Sequence, residues 1–182
     1  MRGARWLALA GAVIVVACGR PGAGGDDSAT GASPTHARFD EEIKLADGRR
    51  VGVSYAAGRG VLEQHQDAEG GAWSKPRIVY ATQSNACQSL GLKAFGDTVA
   101  VIANWGYYCA DGDPPDESIA AVGTAGLTHW DTKVTKDFDG WEKATADGDA
   151  RRLTFTNSST EWLTRLRWYE GEGFGEVENI RR

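Results

Sequence analysis

The residue types able to do chemistry are concentrated in one stretch of the 182-residue chain, residues 104–117. It opens with Asn104-Trp105-Gly106-Tyr107-Tyr108-Cys109, three aromatics beside a thiol. It closes with Asp111-Gly112-Asp113-Pro114-Pro115-Asp116-Glu117, four carboxylates in seven residues. Aromatic faces offer contact area to sugars and peptides at low entropic cost. Trp105, Tyr107 and Tyr108 are therefore candidate ligand contacts; the competing reading packs Trp105 and Tyr107 over a disulfide. Asp111, Asp113, Asp116 and Glu117 are candidate Ca²⁺ ligands, since that ion takes six to eight hard oxygens. The spacing is not that of an EF-hand, and a solvated acidic turn stiffened by Pro114-Pro115 is the alternative.

Cys87 and Cys109 flank this chemistry. Outside the cytoplasm such a pair is expected to oxidise. The bridge would close a loop of about 22 residues and stabilise the fold by about 3 kcal/mol on the chain-entropy estimate. A metal site is the other reading of two thiols, but no His lies between them and the spacing fits no zinc pattern. The chain has no Gly-x-Ser-x-Gly elbow and no phosphate-cradling Gly-Lys-Ser/Thr. His65 and His129 stand alone, and in His129-Trp130-Asp131 strand geometry is expected to hold acid and base apart. No catalytic residue is assigned and no cofactor is implied.

The third cysteine lies near the start. Arg2 and Arg5 precede an apolar run from Trp6 to Val16, and Ala17-Cys18 ends it. Eleven residues rise only about 16 Å as a helix, against about 30 Å of hydrocarbon. A cleaved signal peptide over 1–17 fits better than a membrane span. Val15-Val16-Ala17-Cys18 resembles the lipobox of bacterial lipoproteins. The resemblance implies a diacylglyceryl thioether on Cys18, cleavage before it and further acylation (palmitate-type chains) of the new amino group. Two or three acyl chains anchor stably where one does not. The expected address is the extracytoplasmic face of the cell membrane.

Residues 18–38 then form a Gly-, Ala-, Ser- and Asp-rich linker with almost nothing to bury, reaching roughly 25 Å. Residues 39–182 are one domain's worth of chain. Loss of Arg2 and Arg5 with the leader takes the formal charge from −5 to −7. So acidic a chain offers no electrostatic case for nucleic acid.

The folded part repeats itself. Asp47-Gly48-Arg49-Arg50-Val51 matches Asp149-Ala150-Arg151-Arg152-Leu153, and Gly96-Asp97-Thr98-Val99 is a third copy. Strand-like runs follow at Gly60 to Gln66 and Glu161 to Tyr169, then Gly70-Gly71-Ala72-Trp73 and Gly171-Glu172-Gly173-Phe174. Asp139-Gly140-Trp141 is taken as the middle counterpart of these last turns. On that alignment the middle unit carries two insertions, holding Cys87 and Cys109. Period-two alternation with Gly/Asp turns predicts antiparallel β-structure, and a period near fifty residues suits propeller blades. Thr160 to Tyr169 also fits a helix through Trp162, Leu166 and Tyr169. Trp73, Trp130, Trp141 and Trp168 are expected in the core.

The two Gly-rich turns are similar to the Asp-box hairpins of sialidase-type β-propellers. The Gly places match at Gly70 and Gly171, while the Asp place holds Ala68 and Tyr169. The resemblance implies turn geometry and no catalytic residue. The fold expected is all-β, an open or partial propeller of blade-like repeats, with a β-sandwich or a half-propeller pairing with a second copy as alternatives. The function expected is a lipid-anchored binding module for an envelope glycan or protein ligand. A sialidase-like carbohydrate-acting enzyme is the alternative, which would require arginines converging with Glu or Tyr in one pocket.

Overall fold

Short alternating segments separated by Gly and Asp turns form thirteen strands in the computed structural model, which describes residues 38–83, 87–106, 115 and 117–182. The leader with Cys18, most of the linker, and Cys109, Tyr107, Tyr108, Asp111, Asp113 and Asp116 lie outside the described residues. The first sheet holds β1 (Glu41–Lys44), β2 (Arg50–Ala56), β3 (Gly60–Gln66) and β4 (Arg77–Tyr80). The second holds β5 (Cys87–Phe95), β6 (Thr98–Gly106), β7 (Glu117–Thr124) and β8 (His129–Lys136). The third holds β9 (Lys143–Ala146), β10 (Arg152–Ser158), β11 (Trp162–Tyr169) and the short β12 (Gly173–Phe174), with β13 (Glu178–Arg181) also pairing on β11. Every pairing is antiparallel, and within the first two sheets strands follow one another in chain order. No α-helix occurs among the described residues.

The repeated Asp turns are the first hairpin of each sheet. The Arg49 amide donates to Asp47 Oδ1 (3.0 Å), and the Arg151 amide to Asp149 Oδ1 (3.2 Å). An aspartate bonding the backbone two residues on is a side-chain mimic of a turn. In the second sheet Gly96-Asp97 is a two-residue hairpin with Gly96 at φ +61°. The run from Thr160 to Tyr169 resolves as strand. Thr164, Leu166 and Trp168 point inward and are buried, whereas a helix would have buried Trp162.

Asp139-Gly140-Trp141 does not take the place assigned to it. It lies in the connection between β8 and β9. The middle counterpart of the Gly-rich turns is the 3₁₀ turn Ala125–Leu127, with φ of +49°, +66° and +70° along it, followed by Trp130. Connections 81–86 and 137–142 are then equal in length, and the one enlarged loop is 107–116, between β6 and β7. The expected insertion around Cys87 is instead the long strand β5. Cys87 pairs with Gly106, three residues before Cys109.

Three sheets stack within the unit 36–182. Val53 and Val61 of the first sheet meet Val101, Ala103, Ile119 and Ala121 of the second. Ala100, Ala120 and Val122, on the second sheet's other face, meet Leu153, Phe155, Leu166 and Trp168 of the third. A sheet covered on both faces needs apolar residues at both parities. Hence β6 and β7 run almost continuously apolar while β10 and β11 alternate. Gly123 of β7 faces Trp130 of β8 across the ladder, and the Trp130 ring occupies the space a side chain at Gly123 would take. The faces turned away from the stack carry ion pairs among scattered apolar side chains such as Ile78 and Ile180. Arg165 (3.1 and 2.5 Å) and Arg167 (2.5 Å) share Glu178 on the third sheet, and Arg50 pairs with Glu42 on the first. Trp73 belongs there too, half-buried with its ring 4.4 Å from that of Phe39, so it is a surface-face residue and not core. Trp141 and Trp168 are core, and Trp130 is partly buried.

Candidate ligand pocket

The inward face of the third sheet changes character along its strands. Cross-strand rows run Leu153–Trp168, Phe155–Leu166, then Asn157–Thr164. Apolar rows close the core; the polar row opens a cavity of about 320 Å³. Trp162 and Asn179 extend its floor from β11 and β13, Ser159 comes from the preceding turn, and Phe138 and Asp139 wall it from the β8–β9 connection. Trp162 is 44% exposed, the only tryptophan among the described residues to be so open.

A polar clamp fixes that wall. Asn157 Nδ2 donates to Gly140 O (2.6 Å), and Asn104 Nδ2 donates to Trp141 O (3.3 Å). Ser118, fully buried, donates to Asn104 Oδ1 (2.5 Å) and accepts from the Trp141 amide (3.0 Å). Gly140, at φ +93°, lies where a side chain would run into Asn104. The second and third sheets thus grip Gly140-Trp141 from two sides, and Phe138-Asp139 is carried on a fixed backbone. On the floor, Thr164 Oγ1 donates to Asn179 Oδ1 (2.9 Å), and the Ser159 hydroxyl accepts from the Trp162 amide (3.0 Å). What faces a ligand is amide, hydroxyl, one carboxylate and an indole face.

The residues singled out in the sequence lie elsewhere. Trp105 is fully buried, its ring 6.0 Å from Tyr55 and 5.5 Å from Tyr80, so it is corrected from surface contact to core. Its Nε1 donates to Glu117 Oε2 (3.0 Å), which also accepts from Thr82 Oγ1 (3.1 Å). Glu117, the described member of the Ca²⁺ set, is therefore committed to interior partners. Among the described residues no group of three or more His, Cys, Asp or Glu is placed to hold a metal. Burial and the Glu117 charge push the Tyr55 and Tyr80 phenols up, so both keep their protons at neutral pH.

His129 and Asp131 are two apart and share a strand face, contrary to expectation, and they meet at 3.1 Å. Asp131 also accepts from Trp168 Nε1 (2.7 Å), so its carboxylate ties the second sheet to the third. The four repeat arginines do not converge. Arg49 pairs with Asp47 (2.6 Å), Arg50 with Glu42, Arg151 with Glu170 (2.9 Å) and Arg152 with Asp147. None of them lines the pocket. Backbone and side-chain bonds from Arg49 hold the Asp47 carboxyl below the usual carboxylate range.

The pocket was missed because its residues come from five segments, none a motif. The available signal was Asn157 continuing the inward series Leu153, Phe155, and Thr164 starting the series Leu166, Trp168. A polar residue at an inward position is the informative kind. Neither the protein-family models nor the curated proteins compared with the chain match it.

Proposed function

We propose that this chain is a lipid-anchored extracytoplasmic binding module. Cys18 carries the anchor, the linker holds the stacked sheets off the bilayer, and the third-sheet pocket takes the ligand. The observation that carries the reading is the polar end of an otherwise apolar inner face, left open beside an exposed Trp162. Small-molecule sites are concave, mostly apolar and furnished with a few fixed polar groups, and typically span about 300–1,000 Å³. This cavity lies at the lower end of that range in volume and is more polar than most, with Phe138 and Trp162 as its apolar surfaces. The anchor turns a weak contact into a local one by raising effective concentration. The dispersed arginines favour binding over the sialidase-like alternative, which needs them gathered in a pocket.

The test is co-sedimentation of the Cys18→Ala chain, free of lipid, with isolated cell envelopes. The wild-type pocket should carry the chain into the pellet, and Trp162→Ala and Asn179→Ala should each leave most of it in solution. Equal sedimentation of all three would place the binding surface elsewhere.

A further inference from the structure

We infer that the pocket ligand is an uncharged glycan, held by stacking of a pyranose ring on Trp162. The inference rests on the binding-module reading above and names its ligand class. Three features of the pocket select it.

The first is the pairing of one exposed aromatic face with neutral groups of both hydrogen-bonding senses. Asn157 spends its Nδ2 on Gly140 O, leaving its Oδ1 as an acceptor; Asn179 spends its Oδ1 on Thr164, leaving its Nδ2 as a donor. A sugar hydroxyl both donates and accepts, and an acetamido group offers one N–H and one C=O. Either can satisfy the two amides at once, while the C–H face of the ring covers the indole.

The second is charge. Asp139 is the one charged residue lining the cavity. Arg182, at the neighbouring turn, donates to Ser159 O (3.3 Å) and to the Ser158 hydroxyl. Arg181, across from Trp162, and Arg182 stand outside the lining, so the charge an acidic sugar meets inside the cavity is that of Asp139, which disfavours uronic and sialic acids by like-charge repulsion.

The third concerns the backbone. An extended peptide is recognised by adding to an open strand edge. β11, which carries Trp162 and Thr164, has none to offer, because Thr164 faces Asn157 on one side and Asn179 on the other and Trp162 faces Arg181; the free edge is that of β13, on the side turned away from β11. Recognition here falls to side chains, as it does for sugars.

The experiment is titration calorimetry on the full chain in a zwitterionic detergent, which avoids sugar headgroups. The probes are a β-linked N-acetylglucosamine trisaccharide, maltotriose, a galacturonate trisaccharide and a mixture of uncharged hexapeptides. At least one neutral trisaccharide should bind at millimolar concentration or below, the galacturonate more weakly. Trp162→Ala should weaken the neutral sugar by about tenfold or more. Asp139→Asn, which leaves Trp162 in place, should narrow the gap between neutral and acidic sugars. Trp162-dependent binding of the peptides with no sugar binding would overturn the glycan class and leave the binding module standing. Preference for the galacturonate, or sugar binding indifferent to Trp162→Ala, would also overturn it. Absence of neutral-sugar binding together with Trp162-independent envelope sedimentation would remove both readings.

Discussion

Glu63 is the least comfortable residue in the molecule. It is fully buried against the second sheet, with Oε1 2.8 Å from His65 Nδ1 and Oε2 without a hydrogen bond. Arg77, its cross-strand neighbour, donates instead to Leu127 O (2.8 Å) and Thr128 O (2.6 Å). Burial pushes the carboxyl above the ordinary 4.5 of a glutamate, and the hydrogen bond and charge of His65 act in the other direction. A raised acid pKa means the folded state binds the proton more tightly than the unfolded chain. Its ionisation therefore costs stability as pH rises from about 4.5 through the raised value. Glu63→Gln removes that ionisation. Denaturant melts from pH 4 to 8 should show the variant gaining on wild type as pH rises, with the difference levelling off above the raised pKa. A gap that stays constant, or that moves the other way, would contradict a carboxyl whose pKa burial raises.

At the scale of elements, equivalent hairpins solve one geometric problem with different residues. The turn before β2 places Gly48 at φ +94°, and the turn before β10 places Ala150 at φ +59°. That region costs an L-residue roughly 1–2 kcal/mol, part of which glycine returns through its greater unfolded-state entropy. Ala150→Gly should stabilise by about 0.5–1 kcal/mol. Gly48→Ala should destabilise by at least about 1 kcal/mol, the more so because its new methyl would sit 3.2 Å from the Ala68 methyl. Paired thermal melts check both signs. The same hairpins mark how far the sequence could be read. Asp47, Asp149 and Gly96 located the start of each sheet because turn chemistry is local. β11 alternates inward and outward residues, yet Trp162, Leu166 and Tyr169 also suit a helix face, and it is the repeat's counterpart β3 that tips the reading toward strand. The Asp139-Gly140-Trp141 assignment went astray for a physical reason: a glycine before a tryptophan marks backbone bending close to a large side chain, whether inside a hairpin or between sheets. The pocket was out of reach because cross-strand register sets Asn157 against Thr164 and Thr164 against Asn179, and register follows from pairing partners distant in sequence.

At the scale of the molecule, three stacked sheets make two apolar seams and two mixed outer faces on which ion pairs stand beside exposed Ile78 and Ile180. The ion pairs of Arg165 and Arg167 with Glu178, and of Arg50 with Glu42, stand where a further blade would need apolar surface. Repeat arrays end in this way, with atypical polar faces on the terminal units. The three described sheets form an open all-β stack and do not close into a ring. The candidate pocket sits at the polar end of one seam. The proposed anchor and the proposed pocket stand independently of each other, and the anchor is the one that sets where the protein acts.

The anchor is tested most directly by the intact mass of the protein extracted from membranes, beside a Cys18→Ala variant. The account predicts a wild-type chain that begins at Cys18 and carries diacylglycerol plus acyl mass. It should also be two hydrogens lighter than its reduced form, as a Cys87–Cys109 bridge requires. The variant should lose the lipid mass and leave the membrane fraction. A wild-type chain recovered without lipid from the culture fluid would contradict the account at its root and make this a freely secreted protein.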